Sequence, residues 1–154
     1  MKRDPVYTCY KIANMFYEKK ITLVSVIIRA FMRIIFACDV PYQTKIGKGT
    51  LFPHHALGVI IHPYAKIGEN CVINQNVTIG GRSGYKQLPV IGDNTLLGAG
   101  SIILGPIKIG CNVKVGAGTV ITKDIPDNAV VIGSKARIIK FDNDSGTARK
   151  EGEL

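Results

Sequence analysis

Residues 91–122 read IGDNTLLGAGSIILGPIKIGCNVKVGAGTVIT, and their regular period is the strongest indication of the fold. In it an aliphatic residue recurs at every sixth position, and the same period runs upstream from Ile67 to Ile79. The recurring residues are Ile67, Ile73, Ile79, Ile91, Leu97, Ile103, Ile109, Val115 and Ile121. An amphipathic helix would space its apolar residues by three and four, and a hairpin by two. A period of six instead predicts short strands that coil, with three hexads closing one triangular turn.

A second residue of each hexad also suits a narrow interior. Four positions after each aliphatic residue comes a small or branched one, and a glycine often follows the aliphatic residue directly, where it helps the chain turn a corner. These second residues are Cys71, Val77, Thr95, Ser101, Ile107, Val113, Thr119 and Ile125. The pattern predicts a mainly β protein, a parallel β-helix of hexapeptide repeats, rather than a sandwich of isolated strands.

The chain is long enough for one domain with its own core. It has 154 residues, of which 46% are hydrophobic, with 17 glycines and no tryptophan. We predict three parts: an N-terminal helical segment over residues 1–38, the β-helix domain over residues 39–140, and a polar tail over residues 141–154.

The formal net charge of +9 restricts the partners. Such a charge suits nucleic acid, an anionic membrane or a polyanionic small molecule, but it also arises from a plain excess of solvated lysines. No compact basic run is present, so we expect no nucleic-acid partner. The four cysteines form no C-x-x-C pair and the N-terminus lacks the order of a secretory signal, which predicts a cytoplasmic protein with reduced thiols.

The N-terminal segment is expected to be helical. Tyr10, Ala13 and Tyr17 recur at helical spacing, and an aliphatic stretch follows from residue 21 to residue 37. Arg29 and Arg33 interrupt that stretch, which excludes a transmembrane span of roughly twenty apolar residues. A helix packed on the core or on a neighbouring subunit is favoured; an interfacial membrane helix with snorkelling arginines stays open as the alternative.

All three histidines fall where the repeat is irregular. His54, His55 and His62 lie within nine residues, and the spacing from Ile46 to Ile61 requires the coil to bulge around residues 52–58. A second irregularity, residues 80–89, reads as a loop thrown out from a coil. Histidine can take a proton from a hydroxyl when a carboxylate orients its other nitrogen. Asp39 lies fifteen residues before His54, about one coil away, and is the natural candidate.

A metal site is the main alternative use of these histidines. On extended backbone the adjacent His54 and His55 would point to opposite sides, and no acidic residue lies among the three. We therefore expect no metal. Cys71 and Cys111 sit inside hexads and are interpreted as packing residues rather than nucleophiles.

Several motifs resemble those of one family. They are CDVPYQTKIG (38–47), INQNVTIGGR (73–82), LLGAGSIILGPIKIG (96–110), VKVGAGTVITKDIP (113–126) and VIGSKARII (131–139). Together they resemble the serine acetyltransferases, within the hexapeptide-repeat acyltransferases, over roughly residues 35 to 140. The resemblance implies a left-handed β-helix and a homotrimer that binds acetyl-CoA between adjacent subunits.

The resemblance also implies roles for single residues. His54, rather than His55, stands at the family's spacing from Asp39 and inherits the role of general base in a direct acetyl transfer to L-serine, with no acyl-enzyme. Backbone N–H groups near Gly81 would stabilise the oxyanion. The residues implied in binding the cofactor are Gly81, Ala99 and Ala117 along the pantetheine groove and Lys135 or Arg137 at the phosphates.

Two departures from the family bear on the acceptor. The family's D-H before A-T-G reads Pro53-His54 here with one extra residue, and its Arg-His pair in the loop falls near Gln87-Leu88. The chain is also similar to short colanic-acid-type acetyltransferases, so a sugar hydroxyl in exopolysaccharide or lipopolysaccharide synthesis is the second hypothesis for the small-molecule acceptor. A zinc lyase on the same scaffold and a non-catalytic trimeric module are less favoured.

The tail and the helical segment carry two further expectations from the resemblance. Glu153-Leu154 loosely echoes the aliphatic C-terminus that docks serine acetyltransferases into cysteine synthase, with a solvated tail as the favoured interpretation. The helical segment is shorter than the one that joins two trimers in the family, which predicts a single trimer.

Overall fold

The chain forms a left-handed parallel β-helix closed at its N-terminal end by two helices, as predicted. The computed structural model describes residues 4–142. The helices are α1 (Pro5–Glu18) and α2 (Thr22–Ile35). The strands are β1 (Lys45–Ile46), β2 (Ile60–Ile61), β3 (Lys66–Ile67), β4 (Val72–Ile73), β5 (Thr78–Gly80), β6 (Val90–Ile91), β7 (Leu96–Leu97), β8 (Ile102–Leu104), β9 (Lys108–Ile109), β10 (Lys114–Val115), β11 (Val120–Ile121), β12 (Ala129–Ile132) and β13 (Arg137–Phe141).

The strands stack into three flat faces. Face 1 is β1-β3-β6-β9, face 2 is β4-β7-β10-β12 and face 3 is β2-β5-β8-β11, and every pair within these stacks is parallel. Each coil crosses the three faces in turn, so one hexad supplies one side of the triangle. The final strand, β13, pairs antiparallel with β12 and ends the coil.

The interior is as narrow and aliphatic as the hexads predict. The recurring aliphatic residues from Ile67 to Ile121 are all buried, and so are the eight second residues of the hexads, including the polar Thr95, Ser101 and Thr119. Burial of this aliphatic column is the main stabilising contribution, at about 25 cal/mol per Å² of apolar surface.

The corners between faces need left-handed backbone. The asparagine edge, between faces 1 and 2, is formed at its left-handed positions by Gly49, Asn70, Asn94, Asn112 and Asn128. The histidine edge, between faces 2 and 3, is formed by Gly58, Asn76, Gly100 and Gly118 together with the bulge that holds His54 and His55. Glycine and asparagine tolerate a positive φ better than other residues, which explains their recurrence at the corners.

The two helices cover the open end of the β-helix core. Asp4 caps α1 by accepting a hydrogen bond from the Tyr7 backbone N–H at 2.9 Å. Tyr10 is buried, donates its hydroxyl proton to the Thr44 carbonyl at 2.6 Å and accepts from the Ile46 N–H at 3.1 Å. Burial raises the pKa of Tyr10 to about 12, the Ile46 N–H partly opposing that rise. These contacts anchor α1 to the first coil of face 1.

The observed boundaries refine the sequence prediction in detail. Both helices lie inside the predicted helical segment, and β13 extends to Phe141, one residue into the predicted tail. Within residues 4–142, neither helix combines the length and apolarity needed to cross a bilayer. The Glu153-Leu154 hypothesis falls outside the described residues.

Candidate active site

The first coil bulges where the sequence predicts. Leu51 bridges to Val72 on face 2, and Ile60 pairs with Thr78 on face 3, so the first coil spends more residues on this corner than the second coil does. The surplus forms the bulge, residues 52–58, which contains the short turn Pro53–Ala56. Both histidines of the turn are therefore placed on the histidine edge.

The backbone of the turn is left-handed. His54, His55 and Ala56 have φ values of 54°, 55° and 57°. Our expectation of extended backbone at His54 and His55 is therefore wrong, because the inserted residues coil tightly instead. Three consecutive left-handed residues cost roughly 1–2 kcal/mol each. Both imidazoles remain exposed, and the His55 ring lies 5.8 Å from the Phe36 ring, centroid to centroid.

Hydrogen bonds to neighbouring elements hold this strained turn. The Phe52 N–H donates to the Asp4 carboxylate at 2.6 Å, which ties the start of the bulge to the start of α1. The Gly58 N–H donates to the Ala37 carbonyl at 3.0 Å, which ties its end to the segment after α2. Phe52 and Ala56 are buried, so the turn is also anchored in the core.

Below the bulge, the histidine edge continues as a ladder of small residues. The Gly100 N–H donates to the Gln75 carbonyl at 2.9 Å, and the Gly118 N–H donates to the Ala99 carbonyl at 2.8 Å. Ala99 and Ala117 therefore occupy successive coils. A Cβ built at Gly100 or Gly118 would meet no atom within 4 Å, so this strip of surface is bare within the described chain.

The strip ends beside two exposed cations. The Val120 N–H donates to the Gly133 carbonyl, and the Ala136 N–H donates to the Val120 carbonyl, both at 3.2 Å. The turn that carries Lys135 is therefore the next coil of the histidine edge, and Arg137 follows at the start of β13. The histidine edge thus brings together five of the predicted residues: His54, Ala99, Ala117, Lys135 and Arg137.

Gly81 lies apart from this strip. It follows β5 on the far side of face 3, where residues 81–89 leave the coil as the predicted loop. A Cβ at Gly81 would come within 3.0 Å of a Leu88 methyl group, and the Arg82 guanidinium lies 5.7 Å from the centre of the Tyr85 ring. Within a single chain, Gly81 and the alanines occupy different edges.

Asp39 lies one coil above Ile60, with which it forms a parallel bridge. Its N–H donates to the Val59 carbonyl at 2.8 Å, and its carbonyl accepts from the Ile61 N–H at 3.0 Å. The carboxylate has different partners from those we expected. It accepts two hydrogen bonds from Arg29, at 2.8 and 3.0 Å, and one from Arg33 at 2.5 Å.

These guanidinium groups set the ionisation of Asp39. Burial raises the pKa of this carboxyl, but the hydrogen bonds and charges of Arg29 and Arg33 outweigh burial and lower it below its ordinary value. Among the described residues no hydrogen bond joins Asp39 to His54, and the orienting role of Asp39 stays a prediction. The sequence contained a signal for this pairing that we missed. Arg29 and Arg33 are one helical turn apart, just before Asp39, so both can reach the same carboxylate.

The remaining candidate groups lie elsewhere. His62 is on the far side of face 3, where its Nδ1 accepts a hydrogen bond from the Tyr64 N–H at 3.3 Å. Burial raises the pKa of Cys71 to about 11, which suits a packing residue rather than a nucleophile. Over residues 4–142, no three His, Cys, Asp or Glu side chains are grouped so that they could hold a metal ion. A groove of about 920 Å³ between α1 and residues 49–51 contains none of the predicted site residues.

Known proteins share this sequence and architecture. Residues 90–123 match the family model described as the hexapeptide repeat of succinyl-transferase. A serine acetyltransferase of Helicobacter pylori is 33% identical over 136 residues, which cover 87% of this chain and 79% of that protein. The chain belongs to the serine acetyltransferase family.

Solved structures of the serine acetyltransferase family superpose on most of the chain. Soybean serine acetyltransferase complexed with serine has a TM-score of 0.81 and 37% identity, covering 87% of this chain and 56% of that one. A serine acetyltransferase in complex with CoA has a TM-score of 0.79 and 28% identity, covering 87% and 55%. The chain spans about half the length of the first curated relatives it matches, from 42% to 57%.

Proposed function

We propose that this protein is an acetyl-CoA-dependent O-acetyltransferase whose acceptor is L-serine. The observation that carries the proposal is the single edge on which the exposed histidines of the bulge, the small residues Ala99 and Ala117 and the cation Lys135 follow one another. Successive coils of a β-helix are about 4.8 Å apart, so the four coil spacings from the bulge to Lys135 span roughly 20 Å.

That edge suits an extended, anionic thioester. The bare surface at Gly100 and Gly118 leaves room for a thin chain to lie against the backbone, and Lys135 and Arg137 at its foot offer positive charge to phosphates. A substrate laid along the strip with its phosphates at the foot would present its thioester at the bulge. The CoA and serine complexes of family members support this choice of substrates.

We propose that His54 is the general base. Its neutral imidazole takes the proton of the acceptor hydroxyl while the oxygen attacks the thioester carbonyl. The tetrahedral oxyanion collapses with cleavage of the C–S bond, and the departing CoA thiolate takes the proton from the imidazolium. Backbone N–H groups near Gly81 are proposed to stabilise the oxyanion. Because Gly81 lies on another edge of the same chain, this role requires the Gly81 edge of a neighbouring subunit.

The outward side chains of the faces support a homotrimer with sites between subunits. On face 1 the outward column contains the exposed Lys45, Lys66 and Lys108, which suit solvent. On face 3 the corresponding column contains Ile60, Thr78, Ile102 and Val120 in register, none of them charged, which suits an interface. On face 2 the column contains Val72, Leu96, Lys114 and Val130, with one charged residue, so both faces that flank the histidine edge are less charged than face 1. We infer that subunits meet around the histidine edge.

A sugar hydroxyl is the second candidate acceptor. Gln87-Leu88 stand where the family has the Arg-His pair that helps bind serine, and Gln87 is exposed in the loop. A neutral amide has no charge with which to hold the carboxylate of serine, whereas it can donate and accept hydrogen bonds with a sugar. The loop is therefore the feature that separates the two acceptors.

Thiol release from acetyl-CoA tests the proposal. The purified chain is offered L-serine and a panel of sugars in parallel, with His54→Ala as the control. We expect release with serine that His54→Ala abolishes. Release with a sugar alone would assign the chain to polysaccharide acetylation, and no release with any acceptor would contradict the proposed activity.

A further inference from the structure

Helix α2 exposes a continuous apolar stripe. Its outward residues recur at spacings of three, four and one, and Leu23 and Ile34 are 73% and 80% exposed. The stripe consists of Leu23, Val26, Ile27, Phe31, Ile34 and Ile35. A helix of 14 residues is about 21 Å long, so the stripe runs along the whole helix on the side facing away from the core.

The side of α2 opposite the stripe is buried, and the exposed polar residues of this helix are Thr22 and Arg33. Ser25 and Met32, which lie opposite the stripe, are buried, and Ser25 donates its hydroxyl proton to the Ala13 carbonyl of α1 at 2.8 Å. Arg29 and Arg33, which could have made a charged face, are both bound to Asp39. A helix whose outward surface is mainly aliphatic and aromatic normally has that surface covered.

The positive charge around the stripe favours an anionic binding partner. The segment from Lys19 to Phe36 contains Lys19, Lys20, Arg29 and Arg33 and no acidic residue. Lys19 and Lys20 are exposed at the N-terminal end of the stripe, in the turn that joins α1 to α2. A second copy of the same surface would add like charges, whereas phosphate headgroups complement them.

We propose that α2 docks on an anionic lipid bilayer, with the stripe at the acyl boundary and Lys19 and Lys20 at the phosphates. Amphipathic helices bind bilayers in this way when buried apolar area and cationic flanks act together. The docked helix lies in the plane of the interface and does not span it. The inference is independent of the proposed acetyl transfer, since it rests only on α2 and the turn before it.

Co-sedimentation of the whole chain with vesicles tests this inference. Vesicles of phosphatidylcholine with 30% phosphatidylglycerol are compared with phosphatidylcholine alone. We expect binding to the anionic vesicles that weakens when NaCl rises from 0.1 to 0.5 M. The double variant Leu23→Gln/Ile34→Gln should lower the partition coefficient by about tenfold or more. The matched control is Ile138→Gln/Ile139→Gln on β13, whose two side chains are also exposed and should not affect binding.

A second variant, Lys19→Glu/Lys20→Glu, tests the contribution of the two lysines. It should weaken binding to the anionic vesicles without changing the circular dichroism spectrum. Two results would overturn the proposal. In one, the α2 variant sediments with vesicles as well as the parent. In the other, the parent does not bind vesicles of either composition, and light scattering shows that it forms an assembly larger than that of the α2 variant. The stripe would then be an interface with a second copy of the chain.

Discussion

The asparagine edge and the histidine edge are built from the same hexads, yet their surfaces differ. On the asparagine edge, Asn94 donates an amide hydrogen bond to Asn112, which donates one to Asn128, at 3.2 and 3.0 Å. On the histidine edge, glycines at the equivalent positions leave Ala99 and Ala117 beside open space. A side-chain ladder completes one corner by itself, whereas the other leaves bare backbone for another molecule to contact.

The two edges also differ within the first coil. On the asparagine edge Gly49 turns the corner in one residue, close to the Asn70 side chain. On the histidine edge the chain inserts a left-handed turn at His54 and His55. Stability alone does not require this insertion, because the second coil passes the same corner through Asn76 without it. The difference leaves strained backbone and open surface on the histidine edge, where we propose that acetyl transfer occurs.

The largest expected effect separates the two adjacent histidines. We predict that His54→Ala lowers kcat by about 10²–10⁴-fold, the usual contribution of a general base. We predict that His55→Ala, which removes a ring packed near Phe36, lowers kcat by less than tenfold. Steady-state thiol release measures both. If His55→Ala lowered kcat more than His54→Ala, His55 would be the general base.

The second prediction fills the bare strip. Ala117→Leu should raise the KM for acetyl-CoA by about tenfold or more, because a branched side chain would occupy the groove that the cofactor needs. Cys111→Leu is the matched control, since Cys111 precedes Asn112 on the asparagine edge as Ala117 precedes Gly118 on the histidine edge. Equal KM values for the two variants would show that acetyl-CoA does not use this strip.

The third prediction concerns the ion pairs of Asp39 with Arg29 and Arg33, beside the histidine edge. Asp39→Asn should lower the free energy of unfolding by about 2 kcal/mol, because Arg29 would keep a partly buried charge without its partner. The folded-state pKa of Asp39 is lowered, so its contribution is complete above the unfolded pKa and is lost as pH falls through the folded pKa. Denaturant titrations below about pH 5 should show a weaker pH dependence in the variant.

The smallest effect separates two contributions of the asparagine edge to stability, the left-handed backbone and the amide hydrogen bonds between side chains. Asn112→Ala should cost about 1–2 kcal/mol, since it places alanine at a φ of 57° and removes two amide hydrogen bonds. Asn112→Gly should cost less, because glycine accepts the left-handed backbone. Neither variant should change the KM for acetyl-CoA. A large change in KM would mean that the two edges are functionally coupled.

The sequence predicted the coil well because its period is local. Each hexad from Ile67 to Ile121 repeats the same two inward positions, so one pattern predicts all the rungs. The bulge was also predictable, since an insertion breaks the period wherever it occurs. Its conformation was not, because the left-handed backbone of His54 and His55 depends on anchors at Asp4 and Ala37 that are distant in sequence.

The candidate site was predicted in part for the same reason. Ala99 and Ala117 share an edge because they are one coil apart, which the period predicts. The partners of Asp39 were not predicted, since pairing Arg29 and Arg33 with it requires knowing how α2 lies across the end of the β-helix. Gly81 was assigned by resemblance alone, and its place on another edge depends on coil geometry that the motif does not contain.

Methyl NMR of the alanine-labelled protein during titration with CoA shows whether the cofactor binds along the histidine edge. If the histidine edge receives the cofactor, the methyl signals of Ala99 and Ala117 will shift or broaden, while those of Ala13 and Ala65, buried near the N-terminal end, will not. Saturable CoA binding that leaves the signals of both Ala99 and Ala117 unchanged would show that the cofactor binds elsewhere.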